Sequence, residues 1–433
     1  MTKIIGLQRN SCLLHGALQT VKSIENAVPI IHSTAGCGIQ QYFSGTSLSG
    51  NGGSGYTGGF SIPSTNVIEK QVVFGGTSRL REQIKNTVKV QLGDVYVVLT
   101  GCTTELVGDD VPAMTKEAQE QGYPVITVST PGFKGEIHEG YVAAVRAIIH
   151  QLDKFTAITE NKIKGLVNIF GIVPEQDVFW RGNLEEIKRI LEAIGLKVNT
   201  LFGVGQGVGQ WAEVPAAELN IVISSWGLPI GDLLEEKYET PFIYFDYLPV
   251  GPKETTEFID TVGERLKLDL ERIGEFTYKE EKRVAYYIEN SLDSYFRYNF
   301  KRSFALVGDS ALTLGINSFL SDPLSLIPEV IIITDNVNEK SKKTIKERLK
   351  NYDTDIFFEQ DGNVIKEYIR KKKVEIILGS SLEKEVAEDL EVPLVEVSFP
   401  VVNNLILSKG YAGYNGSINL LEDLGSRIIN KIL

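Results

Sequence analysis

The sequence predicts an α/β protein built from three Rossmann-like modules, with parallel sheets flanked by helices. Short aliphatic or β-branched runs ending in glycine or a small polar residue recur along the chain, and amphipathic stretches alternate with them. The runs are continuously apolar rather than alternating, which marks strands covered on both faces. With 433 residues the chain is also too long for one hydrophobic core.

Taken in order, strands are predicted at 28–32, 95–100 and 124–129 in a first module spanning 1–160. A second module, 161–253, carries predicted strands at 166–170, 197–202, 219–224 and 241–245. A third, 300–433, carries them at 303–308, 328–334, 374–378 and 393–398. Helices are predicted between them at 12–25, 77–89, 111–121, 139–152, 183–195, 229–238, 310–320, 337–350, 362–371 and 417–432. Two charged helices, 254–273 and 279–299, read as a bridge over 254–299, and the last helix is placed to pack back on an earlier module. The glycine- and serine-rich segment 44–61 reads as a loop or a flap over a ligand.

Composition narrows the function. A net charge of −12 disfavours nucleic acid or an anionic membrane as the main partner, because both call for a basic surface. The longest apolar runs, such as VYVVL and VEIILG, fall far short of the roughly 20 residues a membrane-spanning helix needs. The opening MTKIIGLQRNS shows no apolar signal region. With only three cysteines, all within the first 102 residues, a disulfide framework is not indicated, and a cytoplasmic protein is the expectation.

Those cysteines hold the chemical interest. Cys37 (STAGCGIQ) and Cys102 (VVLTGCTTEL) each follow a predicted strand, and Cys12 (RNSCLLHG) opens the first helix. Ligands of open parallel sheets collect beyond the carboxyl ends of the strands. Gly36, Gly38 and Gly101 would let the backbone approach a bulky group. Thiolates are favoured near helix N-termini and select iron–sulfur clusters, zinc or copper. The wide spacing, without a Cys-x2-Cys pair, fits structural zinc poorly. Three buried, inert thiols remain the alternative, and three ligands are one short of the four a cubane takes.

Other features carry blander readings. Asp110 reads as a helix N-cap with Pro112 in the first turn, and Thr77 or Ser78 as the cap after FGG (74–76). His15, one turn after Cys12, reads as a satisfied core histidine; Asp109, Thr103 and Glu105 lie near the third thiol in sequence. LFGVGQGVGQW (201–211) has the wrong glycine spacing for a dinucleotide fingerprint and reads as a loop.

The segments NSCLLHGALQTVKSIENAVPIIHSTAGCG, VIEKQVVFGGTSRLREQI, TGCTTELVGDDV and STPGFKGEIHEGY resemble the first domain of nitrogenase component 1 proteins. The likeness continues, in matching order, through KRSFALVGDSALTLGINSFL and VSFPVVNNLILSKGYAGYNGSINLLEDL. By that resemblance Cys12, Cys37 and Cys102 ligate an iron–sulfur cluster shared at the interface with a homologous α-type subunit. The cluster would be either the eight-iron P-cluster or a four-iron cubane. The resemblance also implies a separate ATP-binding iron-protein reductase, since this chain has no phosphate-cradling P-loop.

The chain departs from the family's α-type pattern. It has no cysteine after Cys102, and its histidines are His15, His32, His138 and His150, so the late Cys/His pair that holds the catalytic metallocluster is missing. The reading is therefore a β-like iron–sulfur redox subunit relaying electrons to a catalytic site on the partner. The alternatives are a scaffold for assembling the metallocofactor, a tetrapyrrole reductase subunit, and a binding module with inert cysteines.

Overall fold

The computed structural model describes residues 6–39, 50 and 62–432. Among them the apolar runs form parallel strands in three separate sheets, as the sequence predicts. The first has the order β1-β2-β3, from Ala27–His32 (β1), Val95–Thr100 (β2) and Val125–Val128 (β3). Pairing of Ile31 with Leu99, and of Leu99 with Val128, sets the carboxyl ends of the three strands side by side. The central strand, VYVVLT, is buried at every position.

The second sheet runs β5-β4-β6-β7, from Ile163–Phe170 (β4), Lys197–Asn199 (β5), Ala217–Ile223 (β6) and Phe242–Phe245 (β7). The third runs β10-β9-β8-β11-β12, from Ser303–Gly308 (β8), Ile327–Ile333 (β9), Asp355–Phe358 (β10), Ile376–Gly379 (β11) and Leu394–Glu396 (β12). Strand β10 was not expected. It is a four-residue edge strand, exposed or half-buried throughout, so its apolar run is too short to stand out.

The two long bridging helices also differ from expectation. They are Gly251–Leu266 and Leu270–Arg297, and they break at 267–269 rather than at 274–278. Lys267 takes a left-handed φ of 53°, and the Asp269 carboxylate caps the second helix by accepting from the N–H groups of Glu271 and Arg272. The C-terminal helix, Gly413–Ile432, packs back as expected: Asn183 accepts hydrogen bonds from the N–H groups of Tyr411 and Ala412 just ahead of it. One continuous core links all three sheets, from Leu14 to Ile428.

A glycine contact holds the first helix against the helix that follows β3. Helices Leu13–Lys22 and Ile137–His150 cross where Gly16 meets the Ile137 carbonyl and Gly140 meets the backbone of Leu13 and Ala17. A Cβ on Gly140 would lie only 2.7 Å from the Ala17 nitrogen, so the helices approach backbone to backbone.

Candidate functional site

The carboxyl edge of the first sheet gathers all three cysteines. Cys12 precedes helix Leu13–Lys22 in extended conformation and bridges Glu136 across the chain. The Leu13 N–H donates to the Gly135 carbonyl at 3.0 Å, tying this helix start to the turn after β3. Cys102 is the first residue of helix Cys102–Val107, directly after β2. Cys37 follows β1, its N–H bonded to the Thr34 carbonyl at 3.2 Å. All three thiols are free and half-buried.

The sulfurs are held by named neighbours. The Gly132 N–H donates to Cys102 Sγ at 3.1 Å. A Cβ built on Gly132 would stand 3.3 Å from Cys12 Sγ and 3.4 Å from Cys102 Sγ, so the two sulfurs flank one small gap. The Ser33 hydroxyl donates to Cys37 Sγ at 3.2 Å. Ser33 also fills the space beside Gly101, which precedes Cys102, and thereby joins the Cys37 segment to the same edge. The Thr104 hydroxyl closes the arrangement by donating to the His32 carbonyl at 2.7 Å.

The flanking glycines therefore have different reasons to be glycine. At Gly101 a side chain would overlap Ser33, so internal packing accounts for it. At Gly36 and Gly38 a Cβ would meet no described residue within 4 Å. Gly132, not singled out from sequence, is the one among the described glycines whose Cβ would touch cysteine sulfur. The run TPGF directly after β3 was the signal to follow, since glycines also flank the thiols after the other two strands.

The neighbouring polar groups are already occupied. His15 is buried between the Ser11 hydroxyl at 2.7 Å and the Gln19 amide at 3.1 Å, and burial together with nearby Lys22 pulls its pKa down to about 3. It is a neutral core histidine, as expected. Asp109 accepts from the Gly76 N–H at 2.6 Å and the Thr77 hydroxyl at 3.3 Å, and pairs with His32 at 3.0 Å. Thr77 therefore does not cap its helix; Gly76 is the N-cap residue. Asp110 does cap, accepting from the Ala113 N–H at 3.0 Å. Glu105 accepts from the Thr100 hydroxyl and lies 3.5 Å from Lys134. Thr103 sits in the first turn of helix Cys102–Val107, half-buried.

Exposed apolar side chains ring this edge. Ile39 follows Cys37, Leu106 lies on the helix that Cys102 opens, and Phe133 follows Gly132. Helix Glu69–Phe74 packs against Cys102–Val107 and presents Val73 and Phe74, the latter 82% exposed. These five exposed side chains lie on the segments that carry or adjoin the three thiols. Most of the glycine- and serine-rich segment 44–61, expected as a loop or flap, lies outside the described residues.

The segment 201–211, expected as a loop, is one only as far as Gly207, because Val208–Ala212 forms a short helix. Trp211 is buried and its indole N–H donates to the Leu201 carbonyl at 3.1 Å, so the glycines shape a turn around a core tryptophan.

A second polar cluster lies where the three sheets meet. His138, on the helix that follows β3, lies 2.8 Å from Asp309, just after β8, and stacks on Trp226, whose indole N–H donates to Asp335 at 2.8 Å. Burial, the largest single influence, depresses the imidazolium, but Asp309, Asp335 and Glu136 together hold the pKa of His138 up. Asp335 is held up by burial and by Asp309, and burial pushes Asp177 up to about 6. The cavity between them offers only about 40 Å³ to the centres of water molecules, room for a few waters. From sequence, no histidine was placed in this region, because His138 belongs to an earlier module.

Among the described residues, no three Cys, His, Asp or Glu side chains converge closely enough to hold a single metal ion. A cluster makes a different demand, since each thiolate binds its own iron. Half-buried thiols spread along one edge, a glycine gap between two of them, and hydroxyl and N–H donors at the sulfurs suit that demand. Also among the described residues, no helix is long and apolar enough to cross a membrane.

Comparison with known proteins places the chain. The nitrogenase molybdenum-iron protein beta chain of Methanococcus maripaludis is 27% identical over 97% of this chain and 94% of that one. The nitrogenase iron-molybdenum cofactor biosynthesis protein NifE of Clostridium pasteurianum is 25% identical over 98% of this chain and 89% of its own length. The solved structure of nitrogenase Cp1 at pH 6.5 shares the fold with a TM-score of 0.82, covering 100% of this chain and 95% of that one at 21% identity. The family model for nitrogenase component 1 type oxidoreductases matches residues 12–429, from the first of the three thiols to the C-terminal helix, and the chain belongs to that family.

Proposed function

We propose that this chain is the β-type subunit of a nitrogenase-like reductase in the cytoplasm. In this reading Cys12, Cys37 and Cys102 hold an iron–sulfur cluster at the boundary with a homologous α-type subunit. The observation that carries it is the meeting of Cys12 and Cys102 around Gly132, with Cys37 joined to the same edge through Ser33. The names of the related beta chains support it. When bound, the cluster supplies one-electron transfer.

This chain's residues supply the rest. Three thiols are one short of a cubane's four, so the partner subunit completes the ligand set, and more so for an eight-iron P-cluster. The Gly132 N–H and the Ser33 hydroxyl stabilise ligating thiolates. Seating the partner on Phe74, Leu106 and Phe133 keeps water from the sulfurs. Within this reading the module 1–160 carries the cluster, 161–253 and 300–433 form the remaining modules, and 254–299 bridges them. The catalytic site belongs to the partner, because Cys102 is the last cysteine and the junction cavity is carboxylate-lined and small. Electrons arrive from a separate ATP-dependent iron protein.

Anaerobic co-purification with the α-type partner, with iron and sulfide analysis and electron paramagnetic resonance, tests this. Cluster signals are expected in the pair, and Cys37→Ala is expected to lower iron several-fold. Iron content unchanged by that substitution overturns the ligand assignment. A second reading, a cofactor-assembly scaffold, is favoured by the similarity to NifE over nearly the whole chain. Transfer of a metal cluster to a recipient apoprotein, without turnover driven by the iron protein, would select it.

A further inference from the structure

We infer that Gly132 is the positioning residue of the cluster site: its missing side chain keeps open the gap between two ligand sulfurs, and its N–H fixes one of them. The inference rests on the cluster reading above and names a part of it that the three cysteines alone do not specify.

The backbone does not call for glycine at this position. Gly132 is not among the residues with positive φ, so the left-handed conformation that favours glycine elsewhere in the chain plays no part. What excludes a side chain is sulfur. A Cβ would stand 2.9 Å from Cys12 Cβ, 3.3 Å from Cys12 Sγ and 3.4 Å from Cys102 Sγ. Neither cysteine is free to retreat. Cys12 is pinned by its bridge to Glu136 and by the Leu13 to Gly135 hydrogen bond, and Cys102 begins a helix at the end of the buried strand β2. The Gly132 N–H, 3.1 Å from Cys102 Sγ, orients that sulfur from the same side.

A methyl group at position 132 therefore either forces Cys12 outward against these restraints or shifts the turn that carries the Gly132 N–H away from Cys102. An iron–sulfur core has fixed dimensions and cannot follow its ligands apart, so displacement weakens binding or strains the cluster. Hydrogen bonds to ligand sulfurs and exposure to solvent both set the potential, so a cluster that survives should report the change electrochemically.

The test compares Gly132→Ala with Gly274→Ala, on helix Leu270–Arg297 away from the thiols, whose added carbon meets no described atom within 4 Å. Both are purified anaerobically with the partner subunit. Gly132→Ala is expected to hold several-fold less iron, or to keep iron with an altered paramagnetic signal and a shifted midpoint potential; Gly274→Ala is expected to match wild type. If wild type holds iron that Cys37→Ala removes, while Gly132→Ala keeps wild-type iron, signal and potential, this inference fails and the cluster reading stands. If wild type holds no iron with its partner, both fail. A folding defect is separated on the metal-free chain. Adding Gly132→Ala is expected to lower the thermal midpoint with Cys12 present and to lower it much less in a Cys12→Gly background. An equal loss in the two backgrounds overturns the packing argument.

Discussion

His15 shows how an ionisable residue one turn from Cys12 is kept out of the chemistry. Its ring is buried against Ser11 and Gln19, and its pKa falls from 6.5 to about 3, first through burial and then through Lys22. A histidine whose folded pKa is depressed contributes stability that is complete above the unfolded value and is lost as pH falls below it. At pH 5 that loss amounts to about 2 kcal/mol for this group alone. His15→Asn should therefore lose less stability than wild type between pH 7.5 and pH 5, read from urea unfolding of the metal-free chain. Equal losses would show that His15 titrates normally in the fold. At this scale the cysteines were legible in the sequence because glycines and strand ends flagged them. The His138–Asp309 pair was not legible, because it joins residues remote in sequence, and Gly132 carried only the signal of a glycine shortly after β3.

At the scale of elements, the site depends on one helix crossing. Helix Leu13–Lys22 begins at Cys12, and helix Ile137–His150 begins just after the turn that contains Gly132. Their separation is set by Gly16 and Gly140, where any side chain would meet backbone atoms that cannot give way. Gly140→Ala is expected to destabilise the chain by about 1–3 kcal/mol through overpacking. It should also lower iron retention, because prying the helices apart shifts Cys12 relative to Gly132. Thermal unfolding and iron analysis of the variant check both parts, and a variant with wild-type midpoint and iron would contradict the dependence. The alternation of strand and helix was legible because continuous apolar runs mark buried parallel strands. The edge strand β10 was not, being short and half-exposed, and the helix break fell at 267–269, ahead of the expected 274–278, where the Asp269 carboxylate caps the second helix.

For the whole molecule, three sheets share one continuous core, and they present two polar regions of different character. The junction of the modules is closed by His138, Trp226, Asp309 and Asp335 around room for a few waters. The carboxyl edge of the first sheet is instead half-open, with thiols and an exposed apolar rim that this chain leaves uncovered. That contrast is why the redox site is assigned to a boundary between chains rather than to the interior of this one. It was only partly legible in the sequence, because exposure of Phe74, Leu106 and Phe133 is a property of the folded surface. The most direct measurement is anomalous diffraction at the iron edge from crystals of the anaerobic complex with its partner subunit. Iron within bonding distance of Cys12, Cys37 and Cys102 at the subunit boundary is the expected result. Iron held by other side chains, with these three sulfurs bare, would contradict it.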